Sequence, residues 1–242
     1  MTATRIYAPA VYTPGATLDL PDPAREHLRA RRLRPGHGLT LFDGSGHSAG
    51  ARLERLDKRG AQAAIEYVAE GGPEAALPIR LLQGMSKGDA MDTVVQKATE
   101  LGVASILPVY TDHAVVRLKG ERAARKHEHW QRVAISACEQ CGRNTLPSIA
   151  PPQGLDEATA GLDAVQGVVI SAAATQGMGS LTWSSGPIAL AVGPEGGFSD
   201  TELERLTGAG WQACRLGPRI LRTETAAIAG LTAIGLLGGD LG

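Results

Sequence analysis

Two short apolar runs, VVIS at 168–171 and IALAV at 188–192, constrain the fold of this chain most strongly. Runs of this kind, without polar alternation, are typical of strands buried on both faces of a parallel sheet. A third run, IRLLQGM at 79–85, precedes a segment with apolar residues at helical spacing, namely Met91, Val94, Val95, Ala98 and Leu101. Strands that alternate with helices in this way predict an α/β domain.

The region before Gly71-Gly72-Pro73 has a different pattern. Short strands and turns follow one another there, and LTLFDGSGHSAGARLERL predicts a β-hairpin with its turn at residues 43–46. Because 242 residues are many for one domain, we expect two. Residues 1–72 form a small β-domain and residues 73–242 the α/β domain, since glycine and proline together are typical of a boundary.

Three further elements are predicted in the second domain. Apolar residues recur along one side of the segment from about Glu121 to Cys141, which indicates a long helix. Ser199 and Glu202 have the spacing of a capping box, so a helix is expected to begin there, just after a glycine-rich turn. A strand over residues 211–216 and a final apolar helix complete the pattern.

Composition and charge exclude several classes of protein. No run of ~18 apolar residues exists, so we predict no transmembrane helix and no membrane partner. The N-terminus lacks a signal-peptide pattern, and three cysteines in a chain of this size favour reduced thiols and a cytoplasmic protein. The net charge is −1, so any contact with nucleic acid must depend on local basic clusters, at residues 25–34 and 117–132.

Cys138-x-x-Cys141 invites a metal or redox interpretation that its position does not support. Redox pairs usually lie at a helix N-terminus, whereas this pair comes late in the predicted helix. On one helix, His127 and His129 lie ~14–17 Å from Cys138, too far to share an ion. We therefore predict core packing and no metal site. A G-x-G-x-x-G loop after the first strand is also absent, which argues against a Rossmann-type cofactor site.

Two strand-to-helix loops near the C-terminus carry most of the functional signal. Gly193-Pro194-Glu195-Gly196-Gly197 either makes a tight connection or lets a ligand approach the backbone closely. In the second loop, over residues 216–226, threonines and Glu224 could simply cap the last helix. Arg219 and Arg222 are not explained in that way, because cations oppose the dipole at a helix N-terminus. An anionic group such as a phosphate, or a nucleobase, is expected to face them.

AVGPEGGFSDTEL followed by LGPRILRTETAAI resembles the paired signature of the SPOUT-class methyltransferases that modify N3 of a uridine in small-subunit (16S) ribosomal RNA. ACEQCGRNTLPSI at 137–149 and QKATELGV at 96–103 also match that family. The stretches RIY at 5–7 and HLRARRLRPGHGLTLFDGSG resemble its PUA-like RNA-binding β-barrel. The resemblance covers nearly the whole chain, in the family's order.

The resemblance implies a C-terminal trefoil-knot α/β domain behind the PUA-like barrel, a homodimer, and S-adenosyl-L-methionine bound by the knot loops. The implied cofactor-binding residues are Ser171, Thr175, Gly193, Pro194, Glu195, Gly196, Gly197, Leu216, Gly217, Ile220 and Leu221. The loop SAAATQGM departs from the family, since many relatives carry a histidine or an acid there. The residues expected to bind the 16S ribosomal RNA, within the small subunit, are Arg5, Arg25, Arg29, Arg31, Arg32, Arg34 and Arg143.

Methylation of uridine N3 needs alignment of donor and acceptor and removal of the N3 proton. Glu195 or Glu224 is expected to act as the base, and Arg222 to stabilise negative charge on the uracil oxygens or to grip a phosphate. Ribose 2′-O methylation is a rival activity, and a small-molecule methyltransferase leaves the basic clusters unexplained. A non-catalytic RNA-binding ribosome-assembly factor that retains the knotted fold is the alternative from another class.

Overall fold

The computed structural model describes residues 3–162, 165–184, 186–238 and 241, and these fall into two units. One contains the chain up to Glu74 together with Cys138–Leu146, and the other contains Ala75–Ala137 and the chain from Pro147 onward. Each unit has its own hydrophobic core. The two-domain division at about residue 72 stays a prediction.

The first unit contains one five-stranded sheet. Its strands are β1 (Thr4–Tyr7), β2 (Thr17–Leu20), β3 (Gly38–Phe42), β4 (His47–Leu56) and β5 (Ala61–Glu70), in the order β1-β3-β4-β5-β2. β1 runs parallel to β3 and the other pairs are antiparallel. The predicted hairpin is β3–β4. Its turn is closed by Asp43 Oδ1, which accepts hydrogen bonds from the backbone N–H groups of Ser45 (2.7 Å) and His47 (3.1 Å).

Helix α1 (Asp22–Ala30) lies between β2 and β3, in a region that the sequence pattern assigned to strands and turns. That expectation was wrong, because only Ala24 and Leu28 are buried along the helix. Two apolar positions are too few to establish a helical period. The N-terminal basic cluster therefore lies on α1 and on the loop that follows it.

Residues Cys138–Leu146 belong to the first unit, where Glu74 holds them. Glu74 Oε1 accepts hydrogen bonds from the backbone N–H groups of Asn144 and Thr145, both at 2.8 Å. Its Oε2 atom lies 2.9 Å from Nε of Arg143, and Arg143 is only 4% exposed to solvent. Asn144 Oδ1 in turn accepts from Arg5 Nη2 at 2.7 Å. This segment is therefore anchored by a network of charged and amide groups.

Replacing Glu74 by alanine is expected to lower the free energy of unfolding by about 3 kcal/mol, because a buried guanidinium loses its carboxylate. Burial by itself would raise the pKa of the Glu74 carboxyl group. The pKa is nevertheless held below its ordinary value of 4.5 by the N–H groups of Thr145 and Asn144 and by the Arg143 guanidinium. Its stabilising contribution is therefore complete above that value and is lost as the pH falls through the lowered pKa.

Urea denaturation between pH 7 and pH 3 measures both effects. Glu66→Ala is the matched control, since Glu66 pairs with Arg52 on an exposed surface and should contribute under ~1 kcal/mol. Equal losses for the two variants would contradict the anchoring role of Glu74.

The second unit contains a parallel sheet that confirms the predicted α/β class. Its strands are β6 (Ile79–Gly84), β7 (Ser105–Tyr110), β8 (Ser148–Ile149), β9 (Gln153–Gly154), β10 (Gln166–Ile170), β11 (Ile188–Val192) and β12 (Gln212–Cys214). The order is β12-β10-β11-β6-β7-β8, with β9 also paired to β7, and every pair is parallel. Leu81 and Leu82 lie in different core clusters, so both faces of the sheet are covered.

The helices of this unit are α2 (Ala90–Glu100), α3 (Glu121–Cys141), whose last turn belongs to the first unit, α4 (Leu155–Thr159), α5 (Asp200–Gly208) and α6 (Thr223–Gly238), with a 3₁₀ turn at Met178–Ser180. The predicted bounds of α3 match. The capping box is confirmed, since Ser199 Oγ accepts from Glu202 N and Glu202 Oε2 accepts from Ser199 N. The strand expected over 211–216 is shorter, because the pairing with β10 ends at Cys214. None of the helices that the structure describes combines the length and the hydropathy that a membrane-spanning helix requires.

Cys138 packs in the interior, as its position in the sequence predicted. It is fully buried, and its contact with Cys141 together with burial raises the pKa of its thiol. In the part of the chain that the structure describes, no group of three or more His, Cys, Asp or Glu side chains could hold a metal ion.

Candidate functional site

A pocket of about 850 Å³ lies at the carboxyl ends of four neighbouring strands, β6, β10, β11 and β12. Parallel strands place their carboxyl ends at one edge of a sheet, and that edge is where ligands bind in open α/β sheets. The lining residues follow these strands or begin helices α2 and α6. The topology therefore brings segments that are far apart in the sequence to one site.

The pocket collects nearly all the residues predicted to bind a cofactor. Those that line it are Ser171, Gly193, Pro194, Glu195, Gly196, Gly197, Leu216, Gly217, Ile220 and Leu221. The three residues predicted to be catalytic, Glu195, Arg222 and Glu224, line it as well. Thr175 is not among the lining residues, because the loop after β10 contributes only Ser171 and Ala172.

The glycine-rich loop after β11 closes so tightly that side chains would not fit. A Cβ atom on Gly193 would lie 2.9 Å from the backbone of Gly197, and one on Gly196 would lie 2.9 Å from Cβ of His113. Gly197 has φ +70°, and its N–H donates to the carbonyl oxygen of Pro194 at 2.9 Å. Glycine at these positions is therefore required by the backbone path, which presents main-chain groups to the pocket.

The same loop is held from two sides. Glu195 Oε1 accepts a hydrogen bond from the backbone N–H of Lys87, 3.0 Å away, just after β6. Nδ1 of His113, just after β7, lies 3.0 Å from the carbonyl oxygen of Gly196. Side chain and backbone of the loop are therefore fixed by the ends of two neighbouring strands, and one oxygen of the Glu195 carboxylate is already engaged.

A buried chain of hydrogen bonds connects β6, the glycine-rich loop and α6. Gln83 Nε2 donates to Thr223 Oγ1 at 2.8 Å, and Thr223 Oγ1 donates to the carbonyl oxygen of Gly193 at 2.7 Å. Gln83 is fully buried and Thr223 is 5% exposed. Gln83 was not predicted as a site residue, although a glutamine inside the apolar run 79–85 was a signal. This chain fixes the first residue of α6, beside Arg222 and Glu224.

Cations outnumber carboxylates on the pocket lining. Lys87, Arg215, Arg219 and Arg222 line it, against Glu195 and Glu224. The three arginines are exposed, and no carboxylate of the described residues lies within ion-pair distance of them. Lys87 and Arg215 were not predicted, although each follows a strand whose carboxyl end faces the pocket. The lining suits a ligand with anionic groups.

The residues predicted to bind RNA divide into two groups. Arg29, Arg31, Arg32 and Arg34 are exposed on or just after α1, and Arg25 is paired with Asp22 at 3.0 Å. Arg143 is buried against Glu74. Arg5 is half-buried, donates to the carbonyl oxygen of Arg143 at 2.9 Å, and lies 4.9 Å above the ring of Phe42. Both side chains therefore make structural contacts inside the protein. Contact of Arg5 and Arg143 with RNA stays a prediction, and their burial disfavours it.

Comparison with known families gives two matches. Residues 73–235 match the RNA methyltransferase domain, and residues 20–66 match the RNA methyltransferase PUA domain. Ribosomal RNA small subunit methyltransferase E of Buchnera aphidicola is 38% identical over 169 residues, 69% of each chain. The protein of the same name from Bacillus subtilis is 29% identical over 226 residues, 88% of each chain.

Two solved structures are similar over 98% of both chains, each with a TM-score of 0.94. One is a ribosomal RNA small subunit methyltransferase E from Neisseria gonorrhoeae bound to S-adenosyl methionine, at 43% identity. The other is a Legionella pneumophila protein in complex with the same cofactor, at 38% identity. The predicted α/β fold with a PUA-like domain is confirmed, whereas the trefoil knot stays a prediction. The chain belongs to the SPOUT-class family of RNA methyltransferases that includes ribosomal RNA small subunit methyltransferase E, as its paired loop motifs indicated.

Proposed function

We propose that this protein binds S-adenosyl-L-methionine in the pocket and methylates N3 of a uridine in the 16S RNA of the small ribosomal subunit. We also propose that the protein forms a homodimer and acts in the cytoplasm. The observation that carries it is the pocket itself, in which a glycine-rich loop and an arginine-rich loop meet at the carboxyl ends of parallel strands. The cofactor in the Neisseria gonorrhoeae relative supports the same assignment for this chain.

The residues present fit such a cofactor. A volume of about 850 Å³ lies within the range of small-molecule sites, ~300–1,000 Å³. Backbone groups of residues 193–197 and 216–221 would hold the cofactor, since the glycines leave no side chain between the main chain and the ligand. When bound, the cofactor supplies an activated methyl group, and the protein must orient it against the acceptor nitrogen.

The acceptor nitrogen must lose a proton, and the pocket offers two carboxylates for that role. Glu195 already accepts a hydrogen bond from Lys87 N–H, which fixes its orientation. Glu224 lies in the first turn of α6 and lines the pocket next to Arg222. We therefore assign the general base to Glu224 and a loop-holding role to Glu195. Arg222 stabilises the negative charge that develops on the uracil oxygens.

The test is methyl transfer from labelled S-adenosyl-L-methionine onto small ribosomal subunits from a strain that lacks this gene, with mass-spectrometric identification of the product nucleoside. The proposal predicts N3-methyluridine, and a Glu224→Gln variant with a strongly reduced single-turnover rate. If the Glu224→Gln and Glu195→Gln variants both react at the wild-type rate, neither carboxylate is the general base. A 2′-O-methylated nucleoside would overturn the specificity, and a protein that binds RNA without transferring methyl groups would be an assembly factor.

A further inference from the structure

An exposed group of arginine and lysine side chains lies on the second unit, outside the pocket. It comprises Arg117 and Lys119, on the segment between β7 and α3, and Arg122, Arg125 and Arg132 on α3. We call these five residues the basic ridge. The three arginines on α3 share one face of the helix, because a spacing of 3, 7 and 10 residues returns close to the same side. None of the five belongs to the sites described above.

The charge of the ridge is largely uncompensated. Residues 115–132 contain six Lys or Arg and two Glu, a net charge of 6 − 2 = +4 in a chain whose net charge is −1. Within the described residues, the ion pair that a ridge residue makes joins Arg125 to Glu121, at 3.9 Å between two highly exposed side chains. A contact of that kind contributes almost nothing to stability.

The position of the arginines is unfavourable for the helix that carries them. Arg122 lies in the first turn of α3, where the helix dipole is positive and cations are destabilising, and Arg125 follows directly after that turn. Glu121 in the same first turn offsets only one of these two charges, so this end of the helix keeps a positive side-chain charge. The arrangement therefore indicates a ligand that supplies negative charge from outside the protein.

Contacts to two segments that border the pocket place the ridge next to it. Nδ1 of His113 lies 3.0 Å from the carbonyl oxygen of Gly196, a lining residue, and Arg117 follows four residues later, at most ~14 Å along an extended chain. On the other side, Lys126 Nζ and His129 Nε2 bind Asp92 at 3.4 and 2.7 Å. Asp92 lies two residues after Ala90, which also lines the pocket. The ridge therefore begins beside the two segments that border the site.

We propose that the basic ridge binds the phosphate backbone of the RNA strand on which the target nucleotide lies. This inference rests on the proposed function, since it names the part of the protein that grips the same substrate. Four of the five side chains are arginines, whose planar guanidinium groups match phosphate oxygens in pairs. Contacts of this kind position the substrate without reading its sequence, so the ridge contributes affinity and the pocket selects the base.

The experiment compares Arg122→Gln/Arg125→Gln/Arg132→Gln with a control of equal charge change, Arg52→Gln/Arg55→Gln/Arg205→Gln. The control arginines are exposed but each lies within ion-pair distance of a carboxylate. Binding to unmodified small ribosomal subunits is measured as a function of salt concentration. Each lost phosphate contact lowers the slope of log K against log salt by ~0.7–0.9, so the ridge variant should lose about 2 in slope and bind about tenfold or more weakly.

The expected kinetic signature is a raised KM for the RNA with kcat at saturating RNA and the Kd for S-adenosyl-L-methionine unchanged. The melting temperature should not fall, because removing cations from the start of α3 does not weaken the helix. If the ridge variant has the same salt slope as the control variant, the proposal that the basic ridge binds RNA phosphates is wrong, even if the wild-type protein methylates RNA normally. A wild-type protein that fails to methylate would overturn the proposed function instead, while the ridge is still judged on the salt slope.

Discussion

Replacing Arg222 by alanine is expected to lower kcat/KM for methyl transfer by about 10²- to 10³-fold, while the Kd for S-adenosyl-L-methionine changes less than about threefold. The side chain is exposed on the pocket lining, directly before α6, whose first residue is held by Gly193 and Gln83. A cation that lies where negative charge develops stabilises the transition state more than the ground state, which is why removing one such group has a large effect. Single-turnover kinetics with saturating cofactor measure the change in the chemical step.

Two control variants separate charge from position. Arg222→Lys retains the charge but loses the planar pair of donors, and is expected to recover only part of the rate. Arg215→Ala removes another exposed arginine from the pocket lining and is expected to reduce kcat far less, since no catalytic role is proposed for it. Equal effects of Arg222→Ala and Arg215→Ala would show that general positive charge, and not Arg222, is what the reaction uses.

Replacing Thr223 by valine is expected to lower the free energy of unfolding by about 2 kcal/mol, because a buried carbonyl group loses its donor, at ~1–3 kcal/mol, and a buried amide loses one of its two hydrogen bonds. The carbonyl oxygen of Gly193 loses its donor, and Gln83 Nε2 loses the shorter of its two hydrogen bonds and keeps the one to the carbonyl oxygen of Gly84, at 3.2 Å. Because Gly193 begins the glycine-rich loop, we also expect affinity for S-adenosyl-L-methionine to fall by about tenfold, ~1.4 kcal/mol.

Thr223→Ser is the matched control, since serine retains the hydroxyl that both donates to Gly193 and accepts from Gln83. It should remain within ~1 kcal/mol of the wild type in urea denaturation and bind the cofactor with nearly wild-type affinity in calorimetric titration. If the serine and valine variants behave alike, the loss comes from altered packing of the side chain, and the hydrogen-bond chain has no role in holding the loop.

Local sequence patterns were sufficient to predict most of the strands and helices of the second unit. The run 188–192 is buried at every position, and the capping box at Ser199 and Glu202 is formed, because these features depend on neighbours in the chain. The two loop motifs were recognised for the same reason, and the parallel sheet brings them to one pocket. Helix α1 was missed because its two buried residues give too short a repeat.

Burial and long-range pairing could not be derived from local patterns. Gln83 and Thr223 are 140 positions apart, so their hydrogen bond follows only from the order of the strands. Contact of Arg143 with RNA stays a prediction, and no local pattern indicated that Glu74 holds this side chain inside the first unit. Thr175 was included with the cofactor loops, but only the first two residues after β10 reach the pocket lining.

The central claim is that the pocket at the carboxyl ends of β6, β10, β11 and β12 holds the methyl donor. A crystal structure of the protein grown with S-adenosyl-L-methionine, at a concentration that saturates binding in solution, tests it most directly. We predict density for the whole cofactor between residues 193–197 and 216–221, with Arg222 and Glu224 beside the methyl group. A cofactor bound elsewhere, or a pocket without cofactor density under those conditions, would contradict the account.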